Sequence, residues 1–306
     1  MATVARSLDE VVEGPSVVTI GVFDGVHRGH QQIVARAVER ARERDVRAVA
    51  VTFDPHPTSV VRPELAPPLL QTVEDRVAVL ADQGVDEVLV LPFTTALSQL
   101  SPEDFVARVL AGPLGAVHVV VGENFRFGHR AAGDGQVLAD LGPEHGFDAD
   151  VVTLLGEGDQ VLSSTAVRAA LESGDVAAAA AMLGRPWMLP GTVVRGEGRG
   201  RTIGVPTANV DAPEGLVRPG GGVYAGRATR GDDTWGCVVN VGTRPTFEGT
   251  STTVEAHLLD AELDLYGQVL RVAFVGRIRD ERRFDGPEEL VAQIHRDVEA
   301  GRSLLA

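Results

Sequence analysis

His27 and His30 stand three residues apart in the stretch VVTIGVFDGVHRGH, residues 17–30. Each ring can donate a hydrogen bond to oxygens that gain negative charge during transfer at a phosphorus atom. Around them Gly21, Gly25 and Gly29 let the backbone approach a ligand closely or take positive φ, and Phe23 and Asp24 fill the turn between. A helix predicted from about His30 would start with unpaired N–H groups facing the same place, and such a start attracts phosphate. The alternative is a surface turn or half of a zinc site. No cysteine cluster and no HExxH helix supplies further zinc ligands, which favours the phosphate reading.

Two more clusters have the residue types of phosphate chemistry. Ser163, Ser164 and Thr165 place hydroxyls at a predicted helix start, and Arg168 follows on its first turn. The set can hold the outer phosphates of a nucleotide, or simply cap the helix. Thr207 and Asn209 lie two apart on an extended stretch and so share one face. Their neutral oxygens suit Mg²⁺ when phosphates and water supply the other ligands, and they equally suit a turn hydrogen bond. Just upstream, Gly198, Arg199 and Gly200 belong to RGEGRGRTIGVPTANV, residues 195–210, whose start has the composition of a flap over phosphates. Neither GxGxxG nor GxxxxGK(S/T) occurs, which leaves the histidine turn as the nucleotide site of the first half.

The elements that must position these groups differ between the two halves. In residues 1–184, β-branched runs alternate with amphipathic stretches. Strands are predicted at 17–22, 47–53, 88–91, 117–121 and 149–154, and helices at 32–44, 72–83, after the Ser101 cap, and at the alanine-rich 175–183. Right-handed crossovers then make a doubly wound parallel sheet, whose ligands bind at the carboxyl ends of the strands. Asp54-Pro55-His56-Pro57 and GENFRFGHRAAGD, residues 122–134, fall at such ends, and Phe125 and Phe127 offer aromatic contacts to a flat ring system. From Arg185-Pro186 onward the texture changes. Glycine makes up 18 of the last 122 residues against 17 of the first 184, and strand-like runs at 187–195, 222–229, 234–241, 252–259 and 268–278 follow without helices between them. That pattern predicts an antiparallel β-barrel. A terminal helix begins with Pro287, Glu288 and Glu289 and is expected to stop at Gly301. The fold class is α/β plus β, with domains at 1–184 and 185–306.

Composition narrows the partners. A chain of 306 residues accommodates two cores, and a net charge of -15 argues against a nucleic-acid backbone. Cys237 is the only cysteine, so no intrachain disulfide forms. The first residues lack a signal-peptide core and no apolar run reaches membrane-spanning length, so a cytoplasmic enzyme of small molecules is expected.

The motifs also carry a resemblance. His27-Arg28-Gly29-His30 resembles the HxGH signature of the adenylyltransferase superfamily, and TIGVFDGVHRGHQQI resembles the opening of prokaryotic bifunctional riboflavin kinase/FAD synthetases. GENFRFG, SSTxxR and GRTIGVPTAN are similar to further motifs of that family, as are TTVEAHLLD and IRDERRFDGPEEL. The resemblance implies a nucleotidyltransferase domain that joins FMN to AMP from ATP and a barrel that phosphorylates riboflavin with ATP, both with Mg²⁺, making FMN, FAD and pyrophosphate. It implies Asn124, with Gly21, Phe23, Asp24, Ser163, Ser164, Thr165 and Arg168, at the adenylyl-transfer site. In the barrel it implies Glu255 as catalytic base, Thr207 and Asn209 at the metal, Gly198, Arg199, Gly200 and Phe247 near nucleotide, and Arg277 and Arg279 near flavin. Ala131 departs from the family, whose members often carry a basic residue in that loop. Two rivals stay open: an N-terminal domain directed at another acceptor or inactive, and a flavin- or nucleotide-binding sensor with both folds.

Overall fold

A computed structural model describes residues 2–153, 162–196, 204–246, 249–261 and 263–306. The chain divides into two compact units, Met1–Ser163 and Ser164–Ala306. Gly198, Arg199, Gly200 and Phe247 lie outside the described residues.

The first unit is built on a six-stranded parallel sheet. In chain order its strands are β1 (Thr3–Ala5), β2 (Ser16–Ile20), β3 (Arg47–Asp54), β4 (Glu87–Pro92) and β5 (Ala116–Gly122), then, after the two-residue pair β6 (Arg126–Phe127) and β7 (Gly133–Asp134), β8 (Asp148–Val152). The spatial order is β1-β4-β3-β2-β5-β8, so the winding reverses between β2 and β5. Ligands bind at such a switch point. Alternate residues of each strand enter two separate cores. Val18, Ile20, Val49, Val51, Leu89, Val119 and Val121 face one, and Val17, Ala48, Ala50, Val88 and Val120 face the other. Helix α1 (Arg28–Arg44) covers the second core with Ile33, Val34, Ala37, Val38 and Ala41. After the short α2 (Pro57–Val61), α3 (Val73–Asp82) adds Leu80 to the same side. The opposite face is closed after α4 (Thr95–Ser98) by α5 (Pro102–Phe105), the wide turn that follows it, and α6 (Gly135–Leu141). The doubly wound expectation is met, with one strand more than predicted. Three residues of β1, paired to β4 at the edge, are too few to show a period.

The second unit opens with α7 (Ser164–Glu172) and α8 (Val176–Leu183), which ends at Gly184 with φ 73. Six antiparallel strands then close a barrel: β9 (Trp187–Val194), β10 (Ala208–Asp211), β11 (Gly222–Arg230), β12 (Asp233–Thr246), β13 (Gly249–Leu258) and β14 (Val269–Arg279), in the order β10-β13-β12-β11-β14-β9. Inside are Leu189, Tyr224, Cys237, Val239, Ala256, Val272 and Phe274, all fully buried. Gly220 N–H donates to Leu171 O at 2.8 Å, tying α7 to the barrel. Terminal helix α9 (Pro287–Leu305) packs on the outer wall through Val298 and Leu305 against Val223, Val238 and Leu259. It runs through Gly301, the predicted stop. A Cβ at Gly301 would meet Val238 Cγ2 at 2.8 Å, so this glycine serves close packing of helix on barrel.

Candidate active sites

Strand β2 ends at Ile20, and the next seven residues turn sharply before α1. Gly25 takes φ 83, and two residues with side chains, Phe23 at φ 51 and Val26 at φ 40, also lie in the left-handed region. Such positions are held against a local conformational cost only when neighbours determine them. Here the neighbours are explicit. Val26 N–H donates to Phe23 O, Gln31 Nε2 to Val26 O, Gln71 Nε2 to Phe23 O, and Leu70 N–H to both oxygens of Asp24. Asp24, a predicted ligand residue, is 2% exposed and holds the segment before α3 against the turn. Gly21 is packed against the Phe23 ring, which a Cβ there would meet at 3.1 Å.

The turn delivers both histidines at the start of α1. His27 is the N-cap, its Nδ1 accepting from His30 N–H at 3.4 Å, and the residue is 3% exposed. The two imidazoles stack with centroids 3.7 Å apart, and Phe23 meets His30 edge-on at 5.2 Å. Burial pulls the His27 pKa down to about 4. Burial also holds His30 well below its usual range, helped by the nearby charges of His27 and Arg76. At pH 7 both rings are neutral. Because His27 Nδ1 accepts, its proton sits on Nε2, which is then a donor.

The other predicted residues of this half fall in different surroundings. Asn124 is exposed in the turn after β5. Phe125 and Phe127 stack on each other at 5.4 Å, and Phe127, 7% exposed, also packs on Phe105. This aromatic pair belongs first to the core, where the sequence suggested a platform for a ring. Ser164, Thr165 and Arg168 lie on α7, with Ser163 directly before it, and Arg168 is buried. They open the second unit, whereas the histidine turn is in the first. Sequence reasoning passed over Thr52 and Arg76. Thr52 O–H donates to Val22 O at 2.8 Å and accepts from Arg76 Nη1 at 3.1 Å.

In the barrel, strand register does the positioning. Asn209 pairs with Glu255 across β10 and β13, and Glu255 pairs with Asn240 across β13 and β12. Directly opposed residues share a face, so Asn209, Glu255 and Asn240 form a row across three strands. Val238, two residues before Asn240, packs on α9, which puts this row on the outer wall. Thr207, two before Asn209, donates from Oγ1 to Glu255 Oε2 at 3.5 Å. Gly196 lies hard against Asn209, whose Nδ2 would be 2.3 Å from a Cβ there. Asn240 was missed because only register reveals it. Arg277 donates to Ser173 O and Gly221 O and pairs with Asp280, bracing the α7 end and the loop before β11. Arg279 makes a buried ion pair with Asp297 of α9, Nη2 to Oδ2 at 2.8 Å.

Among the described residues no group of three or more His, Cys, Asp or Glu side chains forms a metal cage. Thr207 and Asn209 supply neutral oxygens beside one carboxylate, which fits a hard cation that arrives with most of its ligands from a nucleotide.

Comparison with known proteins finds one family for each half of the chain. The sequence model of the FAD synthetase family matches residues 9–166, and that of riboflavin kinase matches residues 183–305. A bifunctional riboflavin kinase/FMN adenylyltransferase of Escherichia coli strain K12 is 39% identical over 293 residues, 95% of this chain and 93% of its own. The Pseudomonas fluorescens protein of the same name is 41% identical over 291 residues, 95% of this chain and 93% of its own. That of Bacillus subtilis strain 168 is 35% identical over 290 residues, 93% and 91% of the two chains. A crystal structure from Streptococcus pneumoniae, described as a macrolide-efflux protein, superposes with TM-score 0.90 at 29% identity and covers 98% of both chains. Among the described residues here, no helix is long and apolar enough to cross a membrane.

Proposed function

This chain belongs to the family of bifunctional riboflavin kinase/FMN adenylyltransferases, and on that premise we propose which residues do each part of the work. The enzyme phosphorylates riboflavin with ATP to FMN and adenylylates FMN with ATP to FAD and pyrophosphate. One observation supports the residue assignment above the others. The FAD synthetase match covers His27 and His30, and the riboflavin kinase match covers Thr207, Asn209, Asn240 and Glu255.

In adenylyl transfer a phosphate oxygen of FMN attacks the α-phosphorus of ATP, and the bond to the bridging oxygen breaks to release pyrophosphate. His27, neutral with its proton on Nε2, and neutral His30 donate to the oxygens on which charge accumulates. The N–H groups opening α1 add the positive end of a helix. Asn124, Ser163, Ser164, Thr165 and Arg168 are assigned to nucleotide and flavin. In phosphoryl transfer the 5′-hydroxyl of riboflavin attacks the γ-phosphorus and ADP leaves. Glu255 accepts the hydroxyl proton, and Thr207, already on Glu255 Oε2, fixes the carboxylate's orientation. Thr207 and Asn209 would hold a Mg²⁺ carried in with ATP, which neutralises phosphate charge. Gly198, Arg199, Gly200 and Phe247 are assigned to nucleotide, and Arg277 and Arg279 to the flavin side. The site of action is the cytoplasm, with neither nucleic acid nor membrane as partner.

Protein incubated with riboflavin, ATP and Mg²⁺ should yield FMN and then FAD on chromatography; FMN without FAD would confine the activity to the kinase. We place the functional boundary at 184/185. A fragment from Arg185 should then make FMN alone. Because Gly220 N–H bonds to the Leu171 carbonyl of α7 and Arg277 to the Ser173 carbonyl just after it, a fragment from Ser164 should melt higher. A soluble, folded fragment from Arg185 without kinase activity would refute the boundary.

A further inference from the structure

Arg76 is the largest fully buried side chain among the described residues, 1% exposed. It occupies α3 on the same face as Val73, Val77 and Leu80, where a helix that only packs would carry a leucine. Its Nη1 donates to Thr52 Oγ1 at 3.1 Å and to Phe53 O at 2.9 Å, while its Nε is buried without a partner among the described residues. Asp24, Asp54 and Glu74 attract it only through longer-range charge. Replacing a buried ion by an apolar side chain of similar volume is often neutral or stabilising, so this cation is poorly explained by stability.

Its connections lead to the histidine turn. Thr52, held by Arg76, donates to Val22 O, the carbonyl directly before the left-handed Phe23. Gln71, just before α3, donates to Phe23 O, so one side chain from β3 and one from the segment before α3 grip successive carbonyl groups of the turn. His30, stacked on His27, carries a buried Nδ1 without a partner among the described residues.

We propose that Arg76 is a positioning residue for adenylyl transfer, fixing through Thr52 the peptide from which the histidine turn departs and setting a buried positive charge behind the phosphate-binding pair. The proposal rests on the assignment of His27 and His30 to that reaction. The charge favours a polyphosphate over bulk anions of lower charge and opposes a proton on His30. The titratable and charged groups around this point are His27 at the N-cap of α1, Asp24 in the turn, Asp54 ending β3, and Glu74 and Arg76 on α3.

The test uses the full-length enzyme, with FAD formation from supplied FMN measured against pH and riboflavin phosphorylation measured in the same preparations. Arg76→Gln should lower the FAD rate about tenfold and move its acid limb up by about one pH unit, because His30 then protonates more readily. Arg76→Lys should keep the limb in place. Thr52→Val, which retains the cation and cuts the link to Val22, should lower the rate without moving the limb. The kinase rate should stay unchanged throughout. Arg76→Gln with an unmoved limb, or Gln and Lys variants with equal shifts, would overturn the electrostatic role. Should Arg76→Gln fail to fold, Thr52→Val at full FAD rate overturns the proposal and a lowered rate with an unmoved limb supports it. His27→Ala with His30→Ala is the separate arm: full FAD synthesis by that variant removes the underlying assignment, whatever Arg76 does.

Discussion

The two candidate sites are built by opposite means. At the first, the reactive groups come from one short segment, and distant residues enter to hold that segment in a conformation it would not adopt alone: Phe23 and Val26 at positive φ, gripped by Gln71, Leu70, Gln31 and Thr52. At the second, none of Thr207, Asn209, Asn240 and Glu255 is left-handed. Extended strands lay Asn209, Glu255 and Asn240 side by side because antiparallel register does so automatically. The first site therefore depends on burial and local geometry, and the second on the integrity of the barrel wall.

The largest effects come from exchanging the damage between them. Glu255→Gln should depress riboflavin phosphorylation and leave adenylylation of supplied FMN intact, whereas His27→Ala with His30→Ala should do the reverse. Losing a donor of this kind lowers a rate by on the order of 10² to 10³, so steady-state assays resolve it easily. Equal losses of both activities in either variant would sink the separation of roles.

A second prediction concerns how the barrel wall is braced. Asp297 is 2% exposed and holds Arg279 through both carboxylate oxygens. Removing one partner of such a pair leaves a buried charge and costs about 3 kcal/mol or more. Asp297→Ala should destabilise the barrel by that order in a denaturant titration. Trp187 and Trp235 are the only tryptophans and both lie in the second unit, so their fluorescence reports it selectively. If Asp297→Ala melts like the parent yet raises KM for riboflavin, Arg279 serves flavin more than the helix.

How far these sites were legible in the sequence follows from the same contrast. The histidine turn could be read because its glycines, its histidines and its helix lie within fourteen consecutive residues. Thr207 and Asn209 could be placed on one face by their two-residue spacing, and the family resemblance alone chose a metal over a turn hydrogen bond for them. Asn240 could not, since nothing local distinguishes it until β12 is laid against β13. Strand β10 was missing from the predicted strands although its residues were read as extended, because four residues give no full alternation. Arg76 did leave a signal, a charge on the apolar stripe of Val73, Val77 and Leu80, and only Thr52 showed what that charge holds. Arg277 and Arg279 came only from the family resemblance, and their engagement with Gly221 and Asp297 is tertiary.

Acid should distinguish the units in a third way. His27 has a folded pKa lowered from 6.5 to about 4 by burial. Between those values the unfolded chain takes up a proton that the folded state refuses, so stability is full above about pH 6.5 and is lost as pH falls toward 4. At about 1.4 kcal/mol per unit the loss is roughly 3.5 kcal/mol from this residue once the pH has fallen through 4, and His30 acts in the same direction. Far-UV circular dichroism should show an acid-sensitive transition ahead of the tryptophan signal, and His27→Gln should flatten the difference. Coincident transitions from pH 7 to 5 would contradict it.

The smallest effect is expected where α9 meets the barrel. Gly301 is helical, with no unusual φ, so alanine there improves helix propensity by roughly 1 kcal/mol. Yet the added Cβ would stand 2.8 Å from Val238 Cγ2, a separation that real contacts avoid. Overfilling a packed contact costs about 1 to 3 kcal/mol, so packing and propensity oppose each other and packing should prevail by a modest margin. Gly301→Ala should therefore lower the denaturation midpoint followed by Trp187 and Trp235 slightly, and Val238→Ala in the same chain should turn the alanine from harmful to helpful. That reversal would mark the contact as the cause. A Gly301→Ala variant more stable than the parent would mean that the helix shifts freely on the wall, and that the row of Asn209, Glu255 and Asn240 on the same wall is held by the barrel strands without help from α9.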